Sequence, residues 1–303
     1  MFYLVIRTEN LTKYYGHRLG VKDLTLSVEP GEVFGFLGPQ GAGKTTTIRM
    51  LLDFVRPSSG RALVLGREVR KNSLEVRRQV GFLPSNFAFA RNMTGESCLR
   101  YLAGLRGPGS EVSWDYVREL STRLGVGLNQ KISELTSGDL QKIGLVQAFM
   151  HKPELMLLDE PARGLDADAQ RAFFQLVADA RAEGRTVFYA TSMLQEVERV
   201  CDRVAVINQG QLVTVERAVR LRGRALRKVQ LRFSSPISPE IFASLTNVEN
   251  IRMDENWMTC TVQGDPDALI KLASQYRVTD IISQSPSLEE SFKRYYGIGG
   301  YAV

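Results

Sequence analysis

The sequence predicts an α/β domain carrying a helical insertion, followed by a small α+β domain with a ferredoxin-like order of elements. Three observations predict this. Up to about Val215, short apolar strand-like runs alternate with longer helical patterns. From Thr94 to Met150 the hydrophobic period turns helical throughout, and beyond Lys228 the pattern reads strand, helix, strand, strand, helix, strand. A length of 303 residues suits two domains of roughly 150 residues each.

Taken in order, Met1 to Asn10 is a β-branched and aromatic run, with no basic leader or small-residue cleavage site, as expected of a cytoplasmic chain. Glu32 to Leu37 reads as a strand, Thr45 to Val55 as a helix, and Arg61 to Leu65 and Val80 to Leu83 as strands. Within 94–150, Cys98 to Leu105 and Trp114 to Leu124 carry helical spacing. Strands return at Leu155 to Asp159, Thr186 to Ala190 and Arg203 to Ile207, with a helix around Asp168 to Ala182. Between Glu216 and Lys228 the apolar pattern fades and six basic residues appear, which reads as a linker, so the domains are placed at 1–225 and 226–303. The second domain is expected to run strand 229–234, helix 239–245, strands 248–253 and 257–263, helix 266–275, strand 278–283, and a last helix over 287–296.

Hydrophobic residues at 44% and charged residues at 24% exclude disordered, collagen-like and disulfide-scaffold classes. Cys98, Cys201 and Cys260 are odd in number and widely spaced, which gives neither a disulfide framework nor a zinc pattern. No apolar stretch approaches the roughly 18 residues of a membrane span. The net charge of +6 is a weak signal, and no nucleic-acid partner is expected from it.

The strongest local motif is Gly38-Pro39-Gln40-Gly41-Ala42-Gly43-Lys44-Thr45, which fits G-x-x-x-x-G-K-[ST] between a strand and a helix. Glycines let the backbone wrap anionic oxygens, so amide N–H groups and the helix's positive end point at phosphates. Lys44 would reach the β and γ phosphates and Thr45 would ligate Mg²⁺. Leu155 to Glu160 is an apolar strand that releases two carboxylates at its carboxyl end, where α/β proteins bind ligands. Asp159 is a second candidate Mg²⁺ ligand, and Glu160 a candidate to polarise an attacking water.

On these residues the chain resembles the ATP-binding subunits of ABC transporters, specifically those of ABC-2 type, drug-resistance-like exporters. The resemblance covers nearly the whole chain. It rests on Gly38 to Thr46, on Leu135-Thr136-Ser137-Gly138-Asp139 in place of the LSGGQ signature, on Leu157 to Pro161, on Gly164-Leu165-Asp166 as the D-loop, and on Pro286 to Phe292 as a closing box. It implies a P-loop NTPase cassette with a helical insertion, and ATP and Mg²⁺ as cofactors. It further implies that Tyr15 stacks on adenine and that the chain works as a homodimer or heterodimer. Each ATP would lie between one protomer's phosphate loop and the other's Thr136, Ser137 and Gly138. The dimer would dock on a separate ABC-2 type permease, at the inner face of the cell membrane, with Phe87 and Phe89 near the region that receives it.

Four residues depart from that family pattern. Ser85 stands where a Gln is expected, and Ser192 where the switch His is expected; the chain has only His17 and His151. In the signature, Ser137 replaces a Gly and Asp139 a Gln, which predicts about 1 kcal/mol of strain if that Gly needs positive φ, and an extra negative charge near phosphates. ATP binding is therefore better supported than hydrolysis. The expectation is slow ATP hydrolysis driving an exporter, with a degenerate regulatory half of a heterodimer as the alternative.

Overall fold

The computed structural model describes residues 4–86, 89–107, 112–219 and 226–284. The chain divides into two compact units, one within residues 1–215 and one within 216–303.

The first unit opens with β1 (Ile6–Tyr15) and β2 (Arg18–Val28), then β3 (Val33–Leu37) and α1 (Lys44–Leu51). β4 (Ser59–Val64), β5 (Arg67–Glu68), α2 (Ser73–Gln79) and β6 (Val80–Leu83) follow. The helical insertion supplies α3 (Gly95–Gly104), α4 (Trp114–Leu124) and α5 (Ser137–Phe149). The remainder is β7 (Leu155–Asp159), α6 (Ala167–Ala182), β8 (Thr186–Thr191), α7 (Leu194–Val200), β9 (Arg203–Asn208) and β10 (Gln211–Arg217).

These strands form two sheets. β2-β1-β4-β5 is antiparallel, and within β10-β9-β3-β8-β7-β6 the strands from β9 to β6 pair in parallel, with Leu37 opposite Thr191 and Asp159 opposite Ala190. The carboxyl ends of β3, β7 and β8 therefore reach one edge together. The central strands are buried on both faces, and the alternation of side chains across a strand sorts them into two cores. Leu155 and Leu157 of β7, with Phe188 and Ala190 of β8, pack toward the antiparallel sheet and α1. Met156, Leu158, Val187 and Tyr189 pack toward α4, α5 and α6. A rigid sheet held from both sides is what fixes the loops at its edge.

The insertion helices carry their own start and stop signals. Thr94 accepts from the Ser97 N–H, Ser113 from the Tyr116 N–H, and Gly125 ends α4 with φ of 65°. β2, α2 and α7, which have no counterpart in the sequence reading, are short or partly exposed elements whose periodicity is diluted. Phe89 packs against the core of the insertion, while Phe87 lies outside the described residues.

The second unit contains β11 (Leu226–Phe233), β12 (Val248–Asp254), β13 (Trp257–Gln263), α8 (Asp267–Ala273) and β14 (Val278–Gln284), in an antiparallel sheet ordered β12-β13-β11-β14. Val229, Leu231, Phe233, Phe242, Met258, Cys260, Val262 and Leu269 form its core. The helix expected over 239–245 is a single 3₁₀ turn at Pro239–Phe242, because the backbone there closes i→i+3 bonds, Ala243 N–H to the Glu240 carbonyl and Leu245 N–H to the Phe242 carbonyl, in place of an α-helical ladder. The expected linker is also shorter. Glu216 and Arg217 finish β10, and Leu226, Arg227 and Lys228 already pair with Gln263, Val262 and Thr261. The basic residues conceal a period-2 pattern there. The segment over 287–296 lies outside the described residues.

Candidate functional site

The turn after β3 is shaped by two glycines. A Cβ on Gly38 would sit 2.4 Å from the Ile207 carbonyl oxygen, and Gly43 caps α1 with φ of 110°. Between them the Ala42 N–H bonds the Pro39 carbonyl, the Gly210 N–H bonds the Ala42 carbonyl, and Gln40 and Gly41 are exposed at the tip. Lys44, only 6% exposed, donates to the carbonyls of Gly38 at 2.7 Å and Pro39 at 3.1 Å. Its ammonium also lies 3.2 Å from Glu160 Oε1.

The end of β7 meets this turn. Thr45 donates its hydroxyl to Asp159 Oδ2 at 2.6 Å, whereas Asp159 Oδ1 is buried with no hydrogen-bond partner. Burial pushes the Asp159 carboxyl up, opposed by the hydroxyls of Thr45 and Ser85. Ser85, at the end of β6, is thus brought beside Asp159, though short of hydrogen-bond geometry with Oδ1. A hydroxyl and a carboxylate with an orphaned oxygen form a donor set of hard oxygens that fits Mg²⁺.

Glu160 follows in a left-handed conformation, φ 51°, held by its N–H to the Ala190 carbonyl at 2.8 Å. Such a backbone costs roughly 1 kcal/mol for a residue with a Cβ, and it aims the carboxylate at Lys44 rather than along the strand. Glu160 Oε2 is 3.3 Å from the Ser192 N–H and 3.4 Å from its hydroxyl. Ser192 therefore occupies a place beside the acidic pair. Three further residues, none given a role in the sequence reading, support this cluster. The Gln141 side chain donates to the Pro161 carbonyl at 2.9 Å, and Thr191 and Glu196 lie behind Glu160. No short-range spacing marks Gln141 or Glu196, so only the packing reveals them.

Tyr15 is 43% exposed, and its ring and the Thr46 methyl both flank Gly20, at 3.1 and 3.3 Å from where a Cβ would stand. The Lys13 ammonium rests over that ring. Tyr15 and the start of α1 are thus neighbours.

The signature segment joins a different neighbour. Thr136 and Asp139 form a reciprocal capping box at the start of α5, with the Thr136 hydroxyl 2.7 Å from Asp139 Oδ2. Asp139 is therefore turned onto its own helix start, where the positive end of the dipole accommodates it. Ser137 is the first helical residue and has ordinary φ, so the expected strain is absent. Gly138 lies against the Gly164 carbonyl. Lys142 pairs with Asp166 at 2.7 Å, and Asp166 caps α6; the Ala169 N–H and Lys142 hold its carboxyl down at about 2. Among the described residues, the signature's contacts run to the Gly164–Asp166 turn.

Residues 21–163 match the ABC transporter family. The chain is 36% identical over 214 residues to the bacitracin transport ATP-binding protein BcrA of Bacillus licheniformis, covering 69% of this chain and 68% of that relative. With BcrA of Enterococcus faecalis the identity is 30% over 311 residues and 98% of both chains. With an uncharacterized ABC transporter ATP-binding protein of a Nostoc species it is 35%, spanning 69% of this chain and 65% of that relative. A solved structure of an ATP-binding subunit of an ABC transporter superposes with a TM-score of 0.66 at 26% identity, over 72% of this chain and 92% of that one. Fold and relatives agree that this chain belongs to the ABC transporter family, as an ATP-binding subunit.

Proposed function

We propose that this chain is the energy-coupling subunit of an ABC-2 type exporter, which binds Mg²⁺-ATP and hydrolyses it slowly as a dimer docked on a separate permease at the inner face of the membrane. The observation that carries the reading is the convergence of Lys44, Thr45, Asp159 and Glu160 within hydrogen-bond and ion-pair distance at the ends of β3 and β7. Lys44 neutralises phosphate charge, the backbone from Gly38 to Thr46 cradles it, and Tyr15 offers an aromatic face to the base. Thr45 and Asp159 would hold Mg²⁺, which supplies positive charge to the phosphate oxygens. Glu160 acts as general base on the attacking water.

Slow turnover follows from Ser85 and Ser192. Ser192 spends its N–H and hydroxyl on Glu160 and carries no imidazole to reach a phosphate. A positioned acid, base or orienting group is commonly worth 10²- to 10⁴-fold in rate, so its loss weighs on turnover more than on binding. Among the described residues no helix is long and apolar enough to cross a membrane. A groove lined by Phe54, Phe82, Pro84, Phe89 and Leu102 is where that permease would dock. The two BcrA relatives are named for bacitracin transport, which makes antibiotic export the proposed role. The accessory unit, with the strand order of a ferredoxin-like domain, is assigned a regulatory or dimer-supporting part.

The test is nucleotide binding and ATPase rate in the membrane complex. Lys44→Ala is expected to abolish measurable ATP affinity, and Glu160→Gln to lower the rate by about 10²-fold or more while retaining binding. Unchanged affinity in Lys44→Ala would overturn the site assignment.

A further inference from the structure

A second carboxylate lies behind Glu160, and the hydrolysis reading leaves it without a task. Glu196, on α7, turns back toward the end of β8, where its Oε2 accepts from the Thr191 hydroxyl at 2.6 Å and from the Tyr189 hydroxyl at 3.1 Å. The same Thr191 oxygen lies 3.4 Å from Glu160 Oε2 and accepts the Met193 N–H at 3.0 Å. One hydroxyl thus stands between two carboxylates.

A hydroxyl has one proton to give and two lone pairs with which to accept. Met193 takes one lone pair. If Glu196 is ionised, the Thr191 proton goes to it, the nearer acceptor, and Glu160 faces a lone pair. If Glu196 is neutral, its own proton fills the second lone pair, and the Thr191 proton is released toward Glu160. Only the second arrangement satisfies every atom of the bridge.

We propose that Glu196 is a positioning residue for Glu160, acting through the Thr191 hydroxyl: neutral Glu196 turns that hydroxyl onto the base, and ionised Glu196 draws it away. Its effect on rate rests on the hydrolysis reading above, while the bridge itself does not. Together with the Ser192 N–H and hydroxyl, the Thr191 proton gives Glu160 Oε2 a third donor from the β8 end of the sheet. A carboxylate so held has fewer orientations open to it.

The groups facing Glu196 favour its neutral form. On β8 they are Tyr189 and Thr191, and across the strand end Glu160, whose charge disfavours a second one nearby. On its own side stands the Cys201 thiol, pushed up chiefly by burial, then by the charges of Asp202, Glu196 and Glu32. From α6 comes Phe174, which carries the Arg199 guanidinium on its ring and so holds that cation toward α6. β3 contributes Gly35, beside Val197 and Cys201. Burial first, and Glu160 after it, hold the Glu196 carboxyl above its ordinary value, against the pull of the Thr191 and Tyr189 hydroxyls.

The test is the pH profile of kcat and KM for ATP in the membrane complex, with Glu196→Gln, Thr191→Val and Thr191→Ser. Wild-type kcat is expected to fall as Glu196 loses its proton. Glu196→Gln, nearly isosteric and permanently neutral, should remove that fall, with the change in kcat rather than KM. Thr191→Val should lower kcat by about 5- to 10-fold, the scale of one lost hydrogen bond, and Thr191→Ser should restore it. Superimposable profiles for wild type and Glu196→Gln, or equal rates for Val and Ser at 191, would overturn the proposal. If instead Glu160→Gln leaves the ATPase rate unchanged, the hydrolysis reading fails and the bridge is judged alone. Carboxyl ¹³C NMR of the intact chain then decides: the Glu196 midpoint must shift in Thr191→Val, which removes the hydroxyl that Glu196 bonds, and an unmoved midpoint refutes the bridge.

Discussion

Ser192 stands where an imidazole is expected, and both of its donors point at Glu160 Oε2, at 3.3 and 3.4 Å. The Glu160 carboxylate is thereby held, and Ser192 has no side chain long enough to reach farther into the site. Replacing Ser192 by His restores a side chain of the right length and a donor on its far nitrogen. Ser192→His is expected to raise kcat in the membrane complex by about 10-fold or more, with ATP affinity changed by less than about threefold. A rate that does not rise would place the limit on turnover elsewhere, with Ser85 beside Asp159 the next position to restore, as Gln. The cluster of Lys44, Thr45, Asp159 and Glu160 was legible because glycine spacing and a strand-end acid pair are short-range patterns. Glu196 and Gln141 were not, since their roles depend on which helix face the sheet edge meets, and no local spacing encodes that.

At the scale of elements, α5 shows how an off-pattern sequence keeps a regular structure. Thr136 and Asp139 satisfy each other's backbone N–H groups, and Lys142, 9% exposed at its side chain, ties the helix to Asp166 at the start of α6. The extra acid serves the cap of the helix that bears it. Thr136→Ala removes one half of the box and should cost about 1 kcal/mol, seen as a melting temperature lower by about 2–4 °C. Asp139→Gln keeps a capping-box residue at the third helical position, so it should melt close to wild type. Equal melting points for Thr136→Ala and wild type would show that the box contributes nothing. β3, β7 and β8 were legible as strands because each is a short, largely apolar run buried on both faces. The start of β11 was not, because Arg227 and Lys228 interrupt its alternation with exposed charge, and Pro239–Phe242 has helical composition but closes i→i+3 bonds instead of an α-helix.

For the whole molecule, the consequence of burying a base can be read as stability against pH. His151 sits just beyond α5, and burial, with the charges of Arg106 and Arg185 behind it, pushes its imidazole down to about 3. In the unfolded chain the same group titrates near 6.5. Between these two values the unfolded chain holds a proton that the folded chain refuses. The stability contributed by neutral His151 is therefore complete above about pH 6.5, and it is lost as pH falls below that value, by up to about 1.4 kcal/mol per pH unit. The loss concerns the entire cassette, because Arg106 follows α3, Arg185 precedes β8 and His151 precedes β7, so protonation strains three segments at once. Urea unfolding at pH 5.5 and pH 7.5 provides the measurement. Wild type should lose about 1 to 1.5 kcal/mol more than His151→Gln over that interval, since the amide keeps polar atoms in place without taking a proton. Parallel losses in the two proteins would mean that the imidazole is protonated in the folded state without penalty, and that the neighbouring guanidinium groups do not act on it.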